Sequence, residues 1–173
     1  MLRPGDRAPS LVAQPVFGLP VRSDAGPLAL VFVRSLSGWI AREALARIAG
    51  VFARFDEAGV RVAAVTRCEL ELARDFVPRE HVLFPVIVDA DGGWFDAFGV
   101  GRDRGLAGTL LRPQLLPNLV AAVGRGRGKP DGGADQLGAE VLVGADGVVR
   151  HARYARSALE LPDVEGLWAA SRS

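Results

Sequence analysis

The chain has 173 residues, a formal net charge of +1, 49% hydrophobic residues and 24% charged residues. That length and composition fit one domain with a real core and exclude disorder over most of the chain. The near-neutral balance gives no reason to expect nucleic acid or an acidic membrane as partner.

Cys68 is the sole cysteine, which excludes an intramolecular disulfide and cysteine-rich zinc sites. His81 and His151 lack metal-ligand spacing, so neither a metal site nor a cofactor is expected. No apolar run approaches the roughly 18–20 residues that span a bilayer, and the N-terminus lacks a signal-peptide core. The expectation is a soluble, cytoplasmic protein. Lys129 is the only lysine among the basic residues, a skew that fits the codon bias of a GC-rich bacterial genome.

In chain order, residues 11–22 are short apolar stretches broken by Pro15, Gly18 and Pro20, which predicts an N-terminal hairpin. The continuous apolar run 28–33 predicts a strand buried on both faces. Ser37 is placed to cap a following helix, with Ile40, Ala44, Leu45, Ile48, Val51, Phe52 and Phe55 at helical period and Gly59 as its stop. Residues 60–65 predict a second buried strand, and 69–76 a short helix stopped before Pro78. Residues 82–88 predict a third strand that carries Pro85, and Trp94 to Phe98 a helical turn.

The segment 101–138 is irregular, with a helical pattern over 115–123 and a basic, glycine-rich loop over 124–133. The loop is read as a surface loop, because Val123 stands where a phosphate-binding loop needs glycine. Asp146-Gly147, between apolar runs 141–143 and 148–154, is the strongest hairpin signal. Residues 162–170 predict a terminal helix. Alternating β and α elements followed by a hairpin and a helix predict one mixed sheet with helices on both faces, an α/β architecture over residues 1–173 with an insertion at 101–138.

That order is the order of a thioredoxin-like fold, and particular segments point further. Gly5-Asp6-Arg7-Ala8-Pro9 resembles the opening of peroxiredoxins of the alkyl hydroperoxide reductase/thiol-specific antioxidant superfamily. Val31 to Glu43 is similar to the active-site segment of its peroxiredoxin-like branch, where an arginine ends the strand, a Cys-x-x-Cys opens the helix and an arginine often follows. Phe84 to Asp89 resembles the third strand of that branch, and Gln136 to Gly147 with Leu161 to Glu165 its C-terminal end.

Aligning Arg34 and Arg42 on that pattern puts Gly38 and Ala41 where the two cysteines belong. The resemblance implies thiol chemistry, which needs a thiolate at a helix N-terminus. Glycine and alanine supply none, so peroxidase and disulfide-exchange activity are not expected. Ser35 stands where many peroxiredoxins carry Thr or Ser. Cys68 follows the second strand and shares the carboxyl rim of the sheet, with Arg67 as a neighbour able to lower its pKa. The structural alternative for Cys68 is a buried thiol.

Three functions remain open. One is a ligand-binding protein or non-redox catalyst that takes a small anionic molecule. Its site would comprise Arg34, Ser35, Ser37, Gly38, Trp39, Arg42 and Thr66. Their alternative roles are salt bridges from the arginines to Glu43 or Glu140, and core packing for Trp39. The second is a thiol oxidoreductase working through Cys68, and the third an interaction or scaffold protein. Relatives often pair through exposed sheet edges, which keeps a homodimer among the options.

Overall fold

The computed structural model describes residues 1–36, 39–102, 136–158 and 160–172, with the backbone alone for Trp39. The expected helix over 115–123 and the loop over 124–133 lie outside the described residues, as do Ser37 and Gly38.

Strands β1 (Val12–Ala13) and β2 (Val21–Arg22) pair antiparallel as the expected N-terminal hairpin. The other five strands are β3 (Leu28–Val33), β4 (Arg61–Thr66), β5 (Val86–Val88), β6 (Ala139–Val143) and β7 (Val149–Tyr154). They form one mixed sheet in the order β5-β4-β3-β6-β7. The first three run parallel to one another, whereas β6 is antiparallel to β3 and to β7. The β6–β7 connection is the Asp146-Gly147 turn, where Gly147 takes φ +75° and the Gly144 N–H donates to the Val148 carbonyl at 2.8 Å.

Alternate residues of each central strand enter different cores. Ala29, Val31 and Val33 pack on one face with α1 (Trp39–Glu57), α2 (Leu70–Arg79) and α4 (Val164–Ser171). Leu28, Leu30 and Phe32 pack on the other with Trp94, Phe95 and Phe98 in and beside α3 (Gly93–Ala97). Burial on both faces is why β3 is an unbroken apolar run and β4 is apolar from Val62 to Val65.

Helix α1 buries Ile40, Ala44, Leu45, Ile48, Val51 and Phe55, the periodic set, with Phe52 partly buried. Its end is a Schellman closure: Gly59 stands at φ +70°, its N–H donating to Asp56, and the Val60 N–H donates to Phe55. Short carboxylates cap the starts of α3 and α4. The buried Asp89 accepts from the Trp94 and Phe95 N–H groups at 2.9 and 3.0 Å, and Asp163 accepts from the Gly166 N–H at 2.9 Å.

Two expectations require correction. Helix α2 does not stop before Pro78 but includes it and runs to Arg79. In the last turn a proline removes only the hydrogen bond that the Arg74 carbonyl would accept, and the helix closes beyond it. The Val82 N–H donates to Val77 at 3.0 Å and the His81 N–H to Pro78 at 3.2 Å. This closure also corrects the third strand. Val82 is spent on ending α2, so the sheet begins at Val86, directly after Pro85, and not at residue 82.

Candidate functional site

The parallel strands β3 and β4 end at one rim, in register, with Val33 beside Thr66. Arg34 follows β3 and is half-buried; Ser35 and Leu36 behind it are buried. The chain re-enters the described structure at Trp39, the first residue of α1. Ala41, in the first turn, is buried.

Arg34 and Ala41 share a cavity of about 20 Å³, the size of one water. Glu140 and Glu160 line it as well, and so does Gly138. Gly138 comes so near β3 that a Cβ there would lie 3.0 Å from the Phe32 carbonyl oxygen.

Glu140 is 2% exposed. Its carboxylate accepts from Arg153 Nη1 at 2.9 and 3.1 Å and from the Asp163 N–H at 2.9 Å. Arg153 also donates to Glu160. Register explains the pair, since Glu140 and Arg153 face each other across β6 and β7. Burial raises the Glu140 carboxyl above its ordinary value, and Arg153 and the Asp163 N–H only partly offset this. His151, further along β7, is held below the ordinary histidine value by burial, against the opposing pull of Asp163.

Arg42 lies elsewhere. Its Nη2 is 3.7 Å from Glu80 Oε1, and its guanidinium is 6.0 Å from the centre of the Phe76 ring. The contacts are with α2 and its C-cap residue Glu80, and Arg42 lines a different cavity from Arg34. Glu140, the other carboxylate expected to pair with the arginines, accepts from Arg153 and from the start of α4. Glu43 accepts from Arg47 Nε at 3.1 Å.

Thr66 is fully buried at the end of β4, and its Oγ1 makes no hydrogen bond among the described residues. Cys68 is 8% exposed and packs in the core that holds Leu36, Ile40 and Ala73. Arg67, expected beside the thiol, directs its guanidinium to Gln136 Oε1 at 3.3 Å and to the Ala90 carbonyl at 3.4 Å. The structure therefore brings Arg34 and Ala41 together and separates Arg42 from them. Ser37, Gly38 and the Trp39 side chain lie outside the described residues. Among the described residues no group of three or more His, Cys, Asp or Glu side chains could hold a metal ion, and no helix is long and apolar enough to cross a membrane.

Residues 47–157 match the family model described as AhpC/TSA antioxidant enzyme, and the chain belongs to that family. The match starts within α1, downstream of the segment 31–43. A comparison with curated proteins found no significant match. Among solved structures, the chain is similar to peroxidoxin BcpB from Mycobacterium tuberculosis, at 17% identity over 99% of this chain and 97% of that one, with a TM-score of 0.70. A mutant of peroxiredoxin Q from Xanthomonas campestris matches at 17% identity over 94% of this chain and 90% of that one, with a TM-score of 0.65. The mitochondrial 2-cys peroxiredoxin from Plasmodium falciparum matches at 14% identity over 98% and 92%, with a TM-score of 0.66. At these identities the likeness is one of fold, and the fold is the thioredoxin-like α/β fold of peroxiredoxins. This member carries a single cysteine, Cys68, which follows β4 in the sequence.

Proposed function

We propose that this AhpC/TSA-family chain is not a thiol peroxidase but binds a small anionic or carboxylate-bearing molecule where β3 meets α1, as a binding protein or a non-redox catalyst. The observation that carries this reading is a helix start that supplies no thiol yet keeps Arg34 at the end of β3 beside it; the cavity that Arg34 shares with Ala41 holds one water, so the ligand would meet Arg34 from outside that cavity. A helix N-terminus carries a partial positive charge of about half a unit, and a guanidinium fork suits a carboxylate or phosphate. Gly38, with no side chain, would let such a group approach the backbone. Thr66 offers a buried hydroxyl at the same rim.

The alternative reading, a thiol oxidoreductase using Cys68, has less support. A nucleophilic thiol needs access and a lowered pKa. Cys68 is packed in the core, and Arg67 directs its guanidinium to Gln136 and Ala90.

Titration with succinate and with inorganic phosphate tests the binding reading. One charge-assisted contact is worth about 1.5–3 kcal/mol, so Arg34→Ala should weaken binding roughly ten- to a hundredfold. Equal affinity in wild type and Arg34→Ala, or no binding of either anion, would refute the assignment.

A further inference from the structure

We propose that α4 is a pH-sensitive latch on the sheet: a proton taken up by His151 loosens the helix from β6 and β7. This inference does not rest on the anion reading above.

Leu142 and His151 stand opposite each other across β6 and β7, so their side chains share one face of the sheet. On that face Leu142 packs in one core with Leu161, Val164 and Leu167, and α4 lies against both strands. His151 Nε2 is buried there and makes no hydrogen bond among the described residues. A neutral ring can leave a bare lone pair at this atom. An imidazolium carries N–H at both nitrogens, so the docked helix would hold a charged Nε2–H with no acceptor, a far costlier group to bury.

The charged groups on this face are engaged with one another. Arg153, two residues along β7, donates to Glu140 on β6 and to Glu160. Glu140 also accepts from the Asp163 N–H, and Glu160 from the Arg156 N–H. Asp163 caps α4 through the Gly166 N–H, and Arg150 donates to Asp146 at 2.7 Å in the turn. Burial accordingly holds the His151 ring below the ordinary histidine value, with Asp163 pulling it up and Arg153 pushing it down.

Lifting α4 returns the ring to water, where it protonates near the ordinary value of 6.5. The open state then binds a proton that the docked state resists. Docking is therefore strongest above that pH and weakens as pH falls below it. Glu160 and Pro162, which lead into α4, line the Arg34 cavity, so release of the helix also opens that cavity.

The test compares wild type with His151→Phe, which keeps a ring and removes the titration, by hydrogen exchange in the full chain at pH 7.5 and 5.5. Protection of the α4 amides, corrected for the chemical exchange rate, should drop on acidification in wild type relative to His151→Phe. The expected drop is severalfold and at most about tenfold, the limit for one proton about one pH unit below 6.5. Glu140 titrates with the opposite sign, and its effect cancels in the comparison. His81→Gln should behave as wild type. If His151→Phe does not fold, His151→Gln takes its place. An equal pH response of α4 in wild type and the His151 variant, or a loss of protection of the same size in β3, would overturn the proposal.

Discussion

Glu140 carries a carboxylate into the core face of the sheet, where Arg153 and the Asp163 N–H meet it at hydrogen-bond distance. Burial raises its pKa, so stability depends on pH with a definite sign. The unfolded chain releases this proton near the ordinary glutamate value of 4.5, whereas the folded chain holds it to higher pH. Over that window the native state binds more protons, and stability falls as pH rises. Urea unfolding across pH 4 to 7 should therefore show a fall in wild type that is absent in Glu140→Gln; identical slopes would contradict the assignment. The pairing was only partly legible, because Asp146-Gly147 announces the hairpin, whereas a β-bulge between Leu142 and Val143 shifts the register that sets residue 140 opposite residue 153. The directions of Ala41 and Arg42 were harder to read. One residue along a helix is a turn of about 100°, enough to point Ala41 toward the Arg34 cavity and Arg42 toward α2. Sequence proximity to Gly38 says nothing about that rotation.

Helices α1 and α2 end in the same closure with different residues at its left-handed position. Gly59 stands there at φ +70° and His81 at φ +53°. Glycine adopts this region without steric cost, whereas other L-residues pay about 1–2 kcal/mol. A β-branched residue is worse still. Replacing His81 by valine should therefore leave the protein at least about 1 kcal/mol less stable than replacing it by glycine, measured by denaturant unfolding. Equal stability of the two variants would show that the closure is not strained. This device also accounts for what the sequence hid. Gly59 announces the end of α1, but histidine gives no such signal, so in the sequence Pro78 reads as the stop and residues 82–85 as part of a strand. The elements with unambiguous chemistry were legible: apolar runs buried on both faces for β3 and β4, helical spacing for α1, and Asp-Gly for the last hairpin.

At the scale of the molecule, the family match over residues 47–157 places the chain in the AhpC/TSA family, and one mixed sheet with helices on both faces gives it a peroxiredoxin-like fold, with one cysteine. The family's redox reaction needs an exposed, activated thiolate, and in this chain the start of α1 has none. Fold does not settle function, and here the side chains at the rim of the sheet decide between a repurposed site and a relocated thiol. Consumption of hydrogen peroxide or an alkyl hydroperoxide with thioredoxin or a dithiol reductant, compared between wild type and Cys68→Ser, distinguishes the two directly. Equal rates, no faster than the reductant alone, are predicted. A clear excess rate in wild type that Cys68→Ser abolishes would contradict the account and make Cys68 the catalytic residue.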